Sequence, residues 1–476
     1  MPSPLSLALC ALALALTLIV PAKAGAARGI EIGFAEPRFN SLDAGVRDFW
    51  HDRAKKAGGE WTRIGVGWRG IAATEPANPT QPGSYAFAGP DAAIRDAAAR
   101  GQKILITVSR APDWAEGPGR PANVEPGTWK PDPDALGQFA QALARRYDGT
   151  WPDPQNPGKA LPRVSHFEAW NENNLGNFLS PQREGGKTVA DDHYKLMLNA
   201  FYEGAHASQP NANVVAGSLS PIGTDQGGDG RERTGPLAFL REMFCLKGKR
   251  KPKAANCGAG FVVPKFDTFS HHPINADRKP LAKAKGDDAG VAEMGLVVDM
   301  LRTAEKAGHT AGAGKHPVWN TEFWWNSNPP KKGRKFPNLK KHAQYIQETL
   351  YLNWKDGVEM AMLYQVGDDS SLTFQTGVYF ENGKPKPAQK AFRFPLVGDR
   401  KSKKKVLVWG RAPANGKVKI QAKKKGKKGK KGFKTVKKKK VKAGDVFKTK
   451  TKLKGKGKLR AKLGKDKSLV YKVGKK

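Results

Sequence analysis

Between Gly29 and Phe394 the chain switches repeatedly between two hydrophobic periods. Short runs rich in β-branched and aromatic residues read as strands: Gly29–Ala35 (GIEIGFA), Glu60–Trp68 (EWTRIGVGW) and Lys103–Val108 (KILITV). Helical spacing follows each. Leu42–Lys56 sets Val46, Phe49, Trp50 and Arg53 on one side behind a possible cap at Ser41. Pro90–Arg100 has proline in its first turn and Gly101 just past its end. Asp134–Tyr147 closes the third pair. The alternation continues with strands at His166–Trp170, Val214–Ser218, Phe266–Ser270, Pro317–Thr321 and Val358–Tyr364. Helices fit Val189–Ala207, Pro236–Phe244, Val291–Ala307, Lys341–Trp354 and Ala388–Phe394. Strands separated by helices are parallel and joined by right-handed crossovers. Eight such units, with no glycine-rich phosphate loop after the first strand, predict an α/β chain folded as a (β/α)8 TIM barrel over residues 25–398.

Beyond Lys401 the period falls to two. Lysine alternates with Val406, Val408, Val418, Ile420, Val446, Leu459 and Leu463, and glycines punctuate the runs. This predicts a small C-terminal lysine-rich all-β module, sandwich-like, of about five or six strands over residues 399–476. The run AKKKGKKGKKG fits a hairpin loop within it; a disordered basic tail is the alternative. Charge sharpens the division. The whole chain carries +40, but from Lys401 onward 33 Lys/Arg stand against only Asp445 and Asp466. The body before it carries +9, so the basicity belongs to the appendage and does not make the whole chain a nucleic-acid binder.

The apolar run Leu5–Val20, followed by Pro21 and Ala22-Lys23-Ala24, predicts a signal peptide over residues 1–24 and a secreted protein, extracellular or attached to the cell surface. The run is short for a membrane span, so no transmembrane segment is expected after cleavage. Removal of Cys10 leaves Cys245 and Cys257, which read as a local disulfide in an exported chain. Such a short loop contributes about 3 kcal/mol on the chain-entropy view. Nothing nearby completes a metal site, and no cofactor is expected.

Two glutamates end predicted strands: Glu172 in HFEAWNENN on the fourth and Glu322 in HPVWNTEFWW on the seventh. Catalytic groups of such barrels project from strand C-termini, which places these two across the barrel mouth from each other. Splitting a glycosidic bond with retention needs two carboxyls about 5 Å apart, one neutral and one ionised.

These motifs resemble the large clan of retaining barrel glycoside hydrolases that includes family 5 (cellulases, mannanases) and family 39 (xylosidases and relatives), over Gly29 to about Phe394. The resemblance implies that Glu172 protonates the leaving oxygen and then activates water, while Glu322 attacks the anomeric carbon. It implies that Asn171 binds the sugar 2-hydroxyl, that Arg63 holds the nucleophile ionised and that His272 lines the pocket. His271 competes with His272 for that place, since strand alternation turns one of them outward. Trp114, Trp324, Trp325 and Tyr364 are candidate sugar-binding aromatics. The match has departures: Asn173 stands where the pattern has proline, Ile274 where an aromatic is common, and Tyr364-Gln365 near the usual tryptophan of strand eight. The function expected is hydrolysis of a β-linked poly- or oligosaccharide outside the cell. Alternatives are a non-catalytic glycan-binding protein on a barrel scaffold, or a transglycosylase using the same residues. The basic module is expected to dock on an anionic cell-surface polymer, not on a specific nucleic acid.

Overall fold

The computed structural model describes residues 29–224, 226, 231–312, 314–332, 336–424 and 432–474. The export segment expected at residues 1–24, part of the loop Gly223–Arg233 and the lysine-rich stretch 425–431 lie outside the described residues.

Eight parallel strands close into a barrel: β1 (Glu31–Ala35), β2 (Trp61–Gly67), β3 (Lys103–Ser109), β4 (His166–Ala169), β5 (Asn213–Leu219), β6 (Thr268–His271), β7 (Val318–Phe323) and β8 (Met360–Tyr364). Closure is made by β1 on β8, in register from Glu31 opposite Met360 to Ala35 opposite Tyr364. The outer ring holds α1 (Ala44–Lys56), α2 (Ala88–Ala99), α3 (Pro133–Arg146), α4 (Ala190–Ser208), α5 (Pro236–Met243), α6 (Met294–Ala307), α7 (Leu339–Asp356) and α8 (Pro387–Arg393). The cap of α1 is Asp43, not Ser41: its Oδ1 accepts from the amides of Gly45 (2.7 Å) and Val46 (3.3 Å), while Ser41 Oγ accepts from the Asp43 amide. Helices α3 and α4 approach so closely that a Cβ on Gly204 would lie 1.9 Å from the Gly137 carbonyl oxygen, which requires glycine there.

Inside the barrel, Trp61, Leu105, Val215, Trp319, Met360 and Met362 form a separate apolar layer at the N-terminal end. The layer above it is polar: Arg63, Thr107, Glu168, Ser270 and Thr321 meet there through mutual hydrogen bonds. A dry floor therefore supports a hydrogen-bonded layer, and the strand C-termini open above it.

The C-terminal module is folded. Strands β9 (Leu396–Arg400), β10 (Lys405–Arg411) and β13 (Val446–Lys452) make one antiparallel sheet. The second has the order β12 (Lys434–Val441), β11 (Gly416–Lys424), β14 (Gly457–Leu463), β15 (Asp466–Lys467), with β16 (Tyr471–Val473) also on β14. That is more strands than the period-two pattern predicts, because β15 and β16 are too short to show a period. Strand β9 also begins at once after α8 and runs across the expected 398/399 boundary. Leu396, Val406, Val408, Val418, Ile420 and Leu459 are buried between the two sheets.

The module docks on the N-terminal end of the barrel. Arg411 donates to the Ile30 carbonyl (2.8 Å) and pairs with Glu60 (2.5 Å), at the entrances to β1 and β2. Trp409 is fully buried against Tyr351 and Trp354 of α7. Arg393 pairs with Asp466, and Tyr471 donates to Glu348. No helix among the described residues is long and apolar enough to cross a membrane.

Candidate active site

Arg63 on β2 organises the barrel mouth. Its Nε lies 2.8 Å from Thr107 Oγ1 and 2.7 Å from Glu168 Oε2. One terminal nitrogen donates to Asn171 Oδ1 at 2.7 Å, the other to Glu322 Oε2 at 3.3 Å. One guanidinium thus ties β3, β4 and β7 together, and its rigid fork suits that task better than a lysine would.

Glu168 is the part of this site that sequence reasoning missed. Its side chain is 0% exposed, yet both oxygens are surrounded by donors: Thr107 (2.7 Å) and Arg63 on Oε2, Ser270 (3.0 Å) and Thr321 (2.8 Å) on Oε1. Burial alone would raise its pKa; Arg63 first, then His272 and the hydroxyl donors, outweigh burial and hold the carboxyl at about 2. The available signal was a glutamate inside an otherwise apolar strand, since a buried charge demands a partner.

Glu168 settles the hydrogen-bond directions above it. Because it carries no proton, Thr321 must donate its hydroxyl to it, and the Thr321 oxygen is left to accept from His272 Nε2 at 3.1 Å. The other ring nitrogen, Nδ1, faces Glu172 Oε1 at 3.2 Å. With Nε2 carrying the hydrogen, Nδ1 presents a lone pair that can accept a hydrogen bond from the Glu172 carboxyl. His271 points away and bonds the Ala289 carbonyl at 2.8 Å, so His272 is the histidine of the site.

Glu172 and Glu322 are aimed by local irregularities. Trp170 (φ +75°) and Glu172 (φ +45°) lie in the left-handed region, which turns the chain sharply where β4 ends. The β7–β8 register shifts between Asn320 and Phe323, which lets Thr321 and Glu322, neighbours in sequence, both reach the barrel mouth. Asn173, in the place of the pattern's proline, donates to the Gly217 carbonyl at 2.6 Å, and Asn174 donates to Ser220, Ile222 and Thr234. These amides fasten the Glu172 segment to the end of β5.

Burial pushes the Glu322 carboxyl up and the charge of Glu172 adds to this, against His272, Arg63 and the Trp324 indole. The two carboxyls therefore feel each other. Glu322 receives N–H donors on both oxygens, Arg63 on Oε2 and Trp324 Nε1 (3.2 Å) on Oε1. Its side chain is 16% exposed and that of Glu172 15%, so both remain reachable.

A cavity of about 180 Å³ opens beside Arg63 and Asn171, walled by Glu36, Asn40, Ser109 and Tyr364. The Tyr364 phenol is raised by burial and then by the charge of Glu322. Glu36 at the end of β1 is held by Arg38 (2.7 Å) and the Val366 amide (2.8 Å). The other aromatics divide. Trp324 bonds Glu322 and packs on half-exposed Phe374. Trp325 is fully buried, with its indole donating to Arg278, so it is a core residue with no face for a sugar. Trp114 is half-buried against Trp68, donates to the Ala72 carbonyl and is not part of the cavity wall. Cys245 and Cys257 form the disulfide, with His309 beside Cys257. These three residues are the one grouping of metal-ligating side chains found among the described residues, and the disulfide occupies both of its sulfurs.

The fold is that of barrel glycosidases. A family 39 glycoside hydrolase from the gut symbiont Bacteroides cellulosilyticus WH2 superposes with TM-score 0.55 at 15% identity, over 90% of this chain and 81% of that one. That share exceeds the barrel, so the likeness extends into the C-terminal sheets. A glucosidase from Croceicoccus marinus (TM-score 0.47, 14% identity, 90% of this chain and 94% of that one) and the GH39 enzyme from Xanthomonas axonopodis pv. citri (0.47, 13%, 90% and 92%) are more distant in shape. No protein-family model matches the sequence, and no curated protein does.

Proposed function

We propose that the protein is a retaining glycoside hydrolase that cleaves a β-linked glycan by double displacement. The observation that carries this reading is the single network in which Arg63 joins Glu168, Asn171 and Glu322 while His272 joins Glu172 to the same buried carboxylate. Double displacement requires Glu172 to enter the reaction protonated, with His272 Nδ1 placed to accept its hydrogen bond. That removes one of the two influences raising Glu322, whose two N–H donors then favour its anion. Glu322 attacks the anomeric carbon as Glu172 protonates the departing oxygen. In the second half Glu172, now ionised, takes a proton from water, which displaces Glu322 and preserves the anomeric configuration. With Oδ1 taken by Arg63, Asn171 offers its Nδ2 amide to the sugar 2-hydroxyl.

Secretion is part of the proposal, supported by the leader pattern of residues 1–24 and by the Cys245–Cys257 disulfide, a bond of oxidising compartments. The test uses residues 25–476 and the Glu322→Gln variant on a panel of β-linked polysaccharides and aryl β-glycosides, counting released reducing ends. The proposal expects turnover of at least one member by the parent and its loss in the variant. Equal binding of a glycan by both, with no cleavage by either, would replace the hydrolase with a glycan-binding protein.

A further inference from the structure

The second sheet of the C-terminal module sends alternate residues to one outer face, and the strand registers arrange them in rows. Lys438, Lys419, Lys462 and Lys467 stand side by side across β12, β11, β14 and β15. Lys423, Lys458 and Lys472 form a second row across β11, β14 and β16. Lys417 faces Lys440 in a third, and Arg460 sits between rows beside Gln421. The opposite face of β11 and β14 is apolar and buried: Val418, Ile420, Leu459, Ala461 and Leu463. No acidic residue stands in these rows, and among the described residues no ion pair includes any of these lysines.

Like charges directly opposite one another destabilise a sheet, so the rows cost the free module stability. Neighbours in a row are spaced by the distance between strands, about 4.8 Å; along β11, Lys417 and Lys419 are about 7 Å apart and Lys419 and Lys423 about 13 Å, with Arg460 at the level between them. Such a grid suits a ligand that carries a negative charge at each of many successive units, because one small anion neutralises only one point of it. Among the described residues, the ring beside Arg460 on this face, Phe433, is covered by the Arg460 guanidinium at 4.1 Å. That leaves no platform for stacked bases, which single-stranded nucleic acids use. The module sits at the N-terminal end of the barrel, opposite the strand ends that carry Glu172 and Glu322, so a long polymer on it leaves the mouth open.

We infer that this lysine face binds a carboxylated polysaccharide, a chain bearing a uronate charge on successive sugars; choosing a polysaccharide over another polyanion rests on the glycosidase reading. Attachment through ammonium groups releases counterions, so affinity falls steeply with salt. The test places residues 25–476, their Lys419→Glu/Lys438→Glu/Lys462→Glu variant and the matching Lys→Gln variant on immobilised polygalacturonate, neutral β-glucan and double-stranded DNA over a salt series. The parent should hold polygalacturonate, release it as salt rises and ignore the neutral glucan. Both variants should bind at least about tenfold more weakly, and the Lys→Gln variant, which removes the like charges from the row, should melt no lower than the parent. Undiminished binding by the variants, binding indifferent to salt, or tighter binding to DNA than to polygalacturonate would overturn the inference. The same series in a Glu322→Gln background reads binding without catalysis, so this inference and the hydrolase proposal fail separately.

Discussion

Glu168 shows how one buried side chain fixes the chemistry of others it never lets near solvent. Its folded pKa of about 2 lies below the ordinary glutamate value of 4.5, so its contribution to stability is present above about pH 4.5 and is lost as pH falls toward 2. The shift corresponds to about 3 kcal/mol. Replacing it with Gln should flatten the acid limb of stability over that window and leave Arg63 buried without its closest anion, a loss of about 3 to 5 kcal/mol at neutral pH. Urea unfolding of both proteins at a series of pH values checks this; parallel curves would refute it. Thr321→Val removes only the hydroxyl that connects Glu168 to His272. Loss of one charge-assisted bond, about 1.4 kcal/mol, should lower kcat about tenfold and alter its pH profile, with KM little changed. An unchanged pH profile would remove the tautomer argument. Glu172 and Glu322 were legible because each interrupts an apolar strand end in a polar cluster. Glu168 was not, because a single sequence does not say which buried charge has found partners from four other strands.

At the scale of elements, strands and helices followed directly from the hydrophobic pattern, since both faces of barrel strands are covered and their runs are mostly apolar. What alternation could not give was the aim of side chains at strand ends. The register shift in β7 and the left-handed residues after β4 override period two at the places where chemistry happens. Asn173 looked like a defect in a family pattern, yet its amide anchors the turn that a proline would otherwise stiffen. Asn174 carries more of that anchoring, with its amide shared among three carbonyls and its Oδ1 accepting from Ser220. Asn174→Ala should cost about 2 to 3 kcal/mol by leaving buried carbonyls unpaired. It should also lower kcat, because Glu172 loses the fixed position it has against His272. A thermal melt and a steady-state assay report the two effects; a drop in stability with unaltered kcat would show that the anchor does not govern Glu172.

For the whole molecule, the sharp change in charge at Lys401 does not mark a mechanical division. The module shares the fully buried Trp409 with α7 and a half-buried ion pair with the entrance to the barrel. Deleting residues 399–476 should therefore expose Tyr351 and Trp354 and yield a destabilised, aggregating barrel. Trp409→Ala alone should cost about 3 to 5 kcal/mol. A truncated barrel that melts like the full chain would show that the interface adds nothing. The central claim concerns a bond at the other end of the molecule: a covalent link between a sugar and Glu322. It is tested most directly by incubating residues 25–476 with a 2-deoxy-2-fluoro β-glycoside of whichever sugar the substrate panel identifies, then locating the adduct by peptide mass spectrometry. The account requires one sugar attached to the peptide containing Glu322, formed by the parent and absent from Glu322→Gln. An adduct on Glu172, or rapid cleavage of the panel substrate with inversion and no adduct at all, would contradict it.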